Sequence, residues 1–343
     1  MYTEFYGLTG EPFLLTPDHK FYFDSTVHSQ AMAHLSYGLS RGEGFIVITG
    51  EVGAGKTTIV KHLLSTIDPD KIVAAHVVTT LLAGSELLRM VAAAFGIKDI
   101  PSDKASMLLR LQRFFETLYR DGRRALLVVD EAQNLSIEAL EELRMLSNFQ
   151  VGNAAPFQSF LVGQPQFRDV IAHPDLEQLR QRVIASYHLG PMSREECGEY
   201  LPHRLKHVGW NNDPVFEPSA MDAVYDHTSG IPRQINTLCN RLLLLGFLDN
   251  LHRFTDEDVN KVAADLRAEN SARHGSAPTA PPPAVQISEV EHLERGVSSG
   301  DLAFRVSELE KRLARQDKSL RQIASAFYDL LGFSNGPGPR PRG

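Results

Sequence analysis

Directly behind the apolar stretch Phe45-Ile46-Val47-Ile48-Thr49 stands the run Gly50-Glu51-Val52-Gly53-Ala54-Gly55-Lys56-Thr57. A buried strand, a glycine-rich loop and a following helix make a phosphate-binding loop, and few folds accommodate one. Gly50, Gly53 and Gly55 let the backbone curl so that successive N–H groups, from Glu51, Val52 and Ala54 as well, point inward at phosphate oxygens. The helix expected over 56–67 brings the N–H groups of its first turn, Thr58 included, and the positive end of its dipole. Lys56 is placed to reach the β- and γ-phosphates, and the Thr57 hydroxyl to ligate Mg²⁺. The motif therefore calls for a nucleoside triphosphate, with Mg²⁺ as its companion.

The rest of the chain agrees with an α/β body. Apolar runs at 45–49, 72–78, 125–129, 157–162 and 184–189 read as buried strands. Amphipathic stretches at 85–95, 103–119 and 137–149 separate them. Apolar strands alternating with helices predict a parallel sheet covered on both faces. Helical patterns then take over. Ser193-Arg194-Glu195-Glu196 is a capping box, 218–228 and 232–248 are helical, and Thr255-Asp256-Glu257-Asp258 opens another helix. The expected organisation is an N-terminal segment (1–43), an α/β core (44–191), a small all-helical lid (192–267), a Pro-rich linker (268–300), a heptad helix (301–332) and a disordered tail (333–343). The heptad reading rests on Leu302, Val306, Leu309, Leu313, Gln316, Leu320, Ile323, Phe327 and Leu330, spaced alternately by four and three. Such a seam fits self-association or docking on the globular body.

Charge and cysteine content narrow the partners. A formal net charge of −7 gives no overall footprint for nucleic acid. Cys197 and Cys239 fall inside helical patterns and read as buried thiols. The start, Met1 to Tyr6, lacks the basic and apolar character of a signal peptide, and no apolar run reaches the length of about 18 residues that a membrane helix needs. A cytoplasmic location follows as the expectation.

Four further sites carry chemistry. Asp130-Glu131 closes the strand Ala125–Val129, at the end of the sheet where ligands bind. Asp130 is expected to hold Mg²⁺ through water and Glu131 to polarise the attacking water. Gln164, after the fourth strand, suits a polar group between these carboxylates and the γ-phosphate. Arg180 and Arg182 precede the fifth strand and suit an arginine finger offered to a neighbouring subunit, with no ranking between them. Gly230-Ile231-Pro232-Arg233 begins a lid helix and places Arg233 near its N-terminus, facing the γ-phosphate from the lid side.

Together these residues resemble the AAA+ ATPases. The resemblance implies a five-stranded sheet in the order 5-1-4-3-2, with Arg233 at the position called sensor 2 and Gln164 where sensor 1 is expected, though Asn or Thr is more usual there. The segments Met1–Leu8, Pro12-Phe13, Leu15–Asp18, Gly50–Gly53, Asp130–Leu135, Val162–Pro165 and Leu179–Arg182 are similar to ExeA-type ATPases, over about residues 1–267. That branch includes ATPases accompanying exosortase and exopolysaccharide loci. It implies an ATP-hydrolysing homo-oligomer built through AAA+ interfaces, working with secretion or polysaccharide-export machinery at the inner membrane; the heptad helix, read from its own spacing, offers a further contact or docks on the body. It also implies that Phe13 and Tyr22 border the adenine. The membrane-spanning and peptidoglycan-binding regions of ExeA proper are not seen after residue 270. Against this reading stands a DNA-binding ATPase of the transposition-regulator (TniB or MuB) type, which the fold permits and the acidic balance opposes. A nucleotide-bound scaffold with negligible turnover is the third class, opposed by Lys56, Thr57, Asp130 and Glu131.

Overall fold

The computed structural model describes residues 1–16, 18–78 and 84–274, all within one compact unit, Met1–Ala277. The heptad helix, most of the linker and the tail expected from sequence lie outside the described residues. The chain opens with α1 (Tyr2–Phe5); the core then runs α2 (Thr26–Arg41), β1 (Phe45–Gly50), α3 (Lys56–Thr66), β2 (Ile72–Val78), α4 (Gly84–Ala94) and α5 (Lys104–Arg120). It continues β3 (Arg124–Asp130), α6 (Ile137–Leu146), β4 (Phe157–Gly163), α7 (Phe167–Ile171), α8 (Glu177–Arg180) and β5 (Val183–Leu189). The lid follows as α9 (Arg194–Lys206), β6 (Val215–Phe216), α10 (Pro218–Thr228), α11 (Pro232–Asp249), β7 (Arg253–Phe254) and α12 (Asp256–His274).

The five long strands form one parallel sheet in the order β2-β3-β4-β1-β5, the expected order read from the other edge. Burial follows position in the sheet. Central β1 and β4 are buried at every residue, β3 at all but its first, because helices cover both faces. The edge strands β2 and β5 have one neighbour each and expose residues such as His76 partly and Val78 strongly. One face packs on α4, α5 and α6 through Leu87, Leu111, Phe115 and Leu143; the other packs on α2 and α3 through Leu35, Ile59 and Leu63. Helix starts are fixed by side-chain caps: Ser25, Asp103 and Ser136 each accept from a backbone N–H three residues on.

Differences from the sequence reading have local causes. Helix α6 stops at Leu146 rather than running to Phe149, because the N–H groups of Asn148 and Phe149 turn to the carbonyls three residues back and tighten the chain. The lid also contains a short parallel pairing, Val215–Phe216 against Arg253–Phe254, too brief to leave a period in the sequence. Helix α12 continues through His274 into the stretch read as linker.

The first thirteen residues precede the core in sequence but belong to the lid in space. Tyr6, Leu8 and Phe13 are buried in the lid's own cluster with Leu201, Leu205, Leu242 and Phe254. Thr9 N–H donates to the Val208 carbonyl (2.9 Å), and the Tyr2 and Tyr6 hydroxyls reach Asn240 (2.8 Å) and the Leu251 carbonyl (2.9 Å). The chain then crosses to the core at α2. There one carboxylate, Glu196, serves two helix starts: it closes the capping box on Ser193 N–H (2.9 Å) and accepts from Thr26 N–H (2.6 Å).

Candidate nucleotide site

Between β1 and α3 the loop turns through left-handed conformations at Gly53 (φ +86°) and Gly55 (φ +99°). Both positions are also crowded. A Cβ on Gly53 would lie 2.3 Å from the Arg233 Cβ, and one on Gly55 would lie 2.7 Å from His28 Nε2. The loop is therefore pressed between the lid's α11 and the core's α2, and Arg233 N–H donates to the Gly53 carbonyl (3.2 Å). Lys56 curls back across the loop, its Nζ donating to the carbonyls of Gly50 (2.7 Å) and Glu51 (2.9 Å). Burial pushes the Lys56 ammonium below its usual pKa, against the pull of Glu131, Asp130 and Glu51. Val52, Gly53, Gly55, Lys56, Thr57 and Thr58 line a cleft of about 180 Å³ that opens to solvent. Gly50 is the buried end of β1, Glu51 faces solvent, and the Ala54 methyl is buried in the core.

Across from the loop, Thr57 Oγ1 donates to Asp130 Oδ2 at 2.7 Å, bringing residues of two elements together. Asp130 Oδ1 accepts from Glu131 N–H (3.0 Å), and His76 Nε2 stands 3.8 Å from Oδ2. Burial raises the Asp130 pKa, but His76, Thr57 and the Glu131 N–H outweigh it and hold the carboxyl below its ordinary value. Glu131 itself sits in a left-handed conformation (φ +56°) at the head of a single 3₁₀ turn, Ala132–Asn134. Its Oε2 accepts from Gln133 Nε2 (2.6 Å) and from Gln164 Nε2 (3.2 Å). Gln164 N–H in turn donates to Gln133 Oε1 (2.9 Å). The structure thus brings Lys56, Thr57, Asp130, Glu131 and Gln164 to one place, with Arg233 on the lid side.

Arg180 and Arg182 are elsewhere. Arg182 sits at the start of β5, where its carbonyl accepts from Phe45 N–H (2.9 Å); the loop at the other end of β1 is roughly 16 Å away along the strand. Arg182 Nη1 donates to the Ser147 carbonyl (3.0 Å), and Arg180 Nη1 to the Ile171 carbonyl (3.1 Å). Both side chains are otherwise exposed, on a face distinct from the cleft.

At the far end of the cleft, Tyr22 alone of the described lining residues was expected from sequence. Leu14 to Thr16 and Phe21 to Phe23 form one wall; Tyr200, Arg204 and Asn236 of the lid form the other. Arg204 is buried, its Nε donating to the Pro12 carbonyl (2.6 Å) and its Nη2 to that of Leu14 (3.2 Å), with the Phe21 ring 4.3 Å below. Burial pulls its pKa below the usual arginine value, and Tyr200 and Asp18 oppose the shift. Tyr22 lines the cleft and stacks on His62 (4.0 Å, 6°). Phe13 does not: it packs in the lid's apolar cluster, which corrects the expectation that it borders a base. His76 and Gln133 were also missed. His76 carries no signal until β2 is known to adjoin β3, and Gln133 stands out only as an amide two residues beyond Glu131.

Residues 39–171 match the AAA domain family. Over 270 residues, 78% of this chain, the sequence is 36% identical to general secretion pathway protein A of Aeromonas hydrophila. The chain is an ExeA-like AAA protein. It spans about half (48%) of that relative's length. This ExeA-like chain also shares its fold with solved structures of low identity. Cdc6p from Pyrobaculum aerophilum superposes with a TM-score of 0.59 at 16% identity, over 75% of this chain and 71% of the other. The ORC2 protein of Aeropyrum pernix, in its ADPNP–ADP complexes, gives 0.53 at 18% identity, over 69% and 66%. With the loop of β1 and the sheet order, these show the α/β P-loop fold of the AAA family. No helix among its described residues is long and apolar enough to cross a membrane.

Proposed function

We propose that this ExeA-like chain binds ATP with Mg²⁺ in the cleft, hydrolyses it, and acts as an oligomerising switch or motor in the secretion or assembly of exopolysaccharide or surface proteins. The observation that carries the chemistry is the 2.7 Å bond between Thr57 and Asp130 beside Glu131 and Lys56. A hydroxyl and a carboxylate are the hard oxygen donors that Mg²⁺ takes alongside phosphate and water, so the residues present fit the ion. When bound, ATP brings the phosphoryl group and Mg²⁺ offsets its charge. The chain's own residues do the rest. Lys56 exchanges the carbonyls of Gly50 and Glu51 for phosphate oxygens, and the N–H groups of Gly53 to Thr58 orient them. Glu131 takes the proton of the attacking water, and Gln164 stands beside it. Arg233, bonded through its backbone to Gly53, ties the lid to whatever occupies the loop.

The secretion context rests on the 36% identity to general secretion pathway protein A, and the exopolysaccharide setting on the motifs shared with that branch. Within it the chain works as a homo-oligomer, held at the inner membrane through its partners. Arg180 or Arg182, exposed and remote from the chain's own cleft, completes a neighbour's site.

Steady-state turnover and ATP binding of Glu131→Gln test the catalytic assignment. Binding should stay within about threefold of wild type while kcat falls roughly 10²–10⁴-fold. Turnover at the wild-type rate would remove Glu131 from the reaction. In the same assay, a wild-type rate in the Arg180→Ala, Arg182→Ala double variant would remove the neighbour's arginine.

A further inference from the structure

The carboxylate that the proposed reaction depends on is held by a side chain that no part of that reading uses. Gln133 spans two elements. Its Nε2 donates to Glu131 Oε2 at 2.6 Å, and its Oε1 accepts from the Gln164 backbone N–H at 2.9 Å. The orientation of this amide follows from its neighbours. A backbone N–H can only donate, so the atom facing Gln164 is the oxygen; the NH₂ group then faces Glu131, an acceptor when ionised.

Two independent features show that this bridge is built into the fold. The first is the backbone of Glu131 at φ +56°, a left-handed conformation that is strained for a non-glycine residue. That left-handed step, closed by Asn134 N–H on the Glu131 carbonyl (2.9 Å), starts the 3₁₀ turn that folds Gln133 back over Glu131. The second is Gly163, at the end of β4. A Cβ there would stand 3.1 Å from Gln133 Oε1 and 2.9 Å from the Phe167 Cβ, so the amide has room because position 163 carries no side chain.

The consequence for Glu131 is geometric. The last torsion of a glutamate is broad and poorly defined when the carboxylate is left to itself. Here one oxygen receives two N–H donors from different directions, Gln133 and Gln164, and that fixes the plane of the carboxylate. We infer that Gln133 is a positioning residue for ATP hydrolysis, setting the carboxylate of Glu131 against the attacking water and locking it to the end of β4. The inference rests on the hydrolytic reading above. It adds that Glu131 and Gln164 move as one unit through Gln133.

Gln133→Met keeps the length and volume of the side chain and removes both bonds. In steady-state kinetics on the full chain, kcat should fall about 10- to 100-fold, the scale of a small misplacement of a catalytic group, with KM and ATP affinity within twofold of wild type. In a Glu131→Gln background the same substitution should cost nothing further, because the group it positions is gone. Gln133→Glu keeps the acceptor toward Gln164 and turns the donor into a carboxylate oxygen that repels Glu131. It should lose kcat to a similar degree, which separates the Glu131 bond from any effect on folding. A wild-type kcat in Gln133→Met, with Glu131→Gln inactive, would overturn this inference alone. So would a loss that appears equally in KM, in ATP affinity or in the Glu131→Gln background, because that marks a structural role. Turnover unaffected by Glu131→Gln would overturn the hydrolytic reading and this inference with it.

Discussion

At the phosphate end of the cleft, eight consecutive residues, Gly50–Thr57, supply the turn, the N–H groups and the lysine, and one carboxylate strand faces them. At the far end nothing is consecutive. Leu14 accepts from Arg204 and Asn236, which lie 190 and 222 positions away, and the wall they make joins the start of the chain to the lid. A short local loop fixes its own geometry through backbone conformation, whereas the far end exists only when the lid is folded against the N-terminal segment. One end depends on glycines and strand order, the other on tertiary packing.

Substitutions at the two ends should therefore separate nucleotide affinity from stability. Lys56→Ala is expected to have the largest effect. It should weaken ATP binding more than about 100-fold, on the order of 3 kcal/mol, as read by titration calorimetry. Arg204→Met should do the reverse. It removes the buried Arg204 donor from the Pro12 carbonyl and leaves that of Leu14 to Asn236 alone, at about 2 kcal/mol in unfolding free energy and a Tm lower by roughly 5 °C in calorimetry. A Tm unchanged by Arg204→Met would erase the distinction between the two ends. Gly53→Ala probes where they meet. It combines a strained φ with a contact on Arg233, and the expected loss is about tenfold in ATP affinity, smaller if Arg233 gives way. Full wild-type affinity would show that the loop and the lid do not press on one another.

The same contrast explains what the sequence disclosed. Strands β1 to β5 were legible because apolar runs between helical patterns have few other uses, and their order agrees with that of the family the motifs resemble. The loop was legible because its constraint is local. Arg204, by contrast, is one charged residue on a helix, and only the Pro12 and Leu14 carbonyls brought to it by the fold make it a buried clamp. The resemblance set Phe13 beside the base, but apolar packing carried it into the lid. Gln133 and His76 depend on which strands adjoin, a fact no local pattern encodes. Val215–Phe216 and Arg253–Phe254 are too short for any periodicity to register.

Seating the first residues in the lid also has a temporal consequence. The hydroxyls of Tyr2 and Tyr6 find their partners 238 and 245 residues further on, among the longest loops this chain closes. A ribosome delivers the N-terminus first, so Tyr6 and Phe13 emerge early and stay without their apolar surroundings until α11 and β7 have been made. By then the strands that carry Gly50–Thr57 and Asp130 have already left the exit tunnel and can pair. In the order of synthesis, Tyr6 and Phe13 wait for the helices and the strand that bury them.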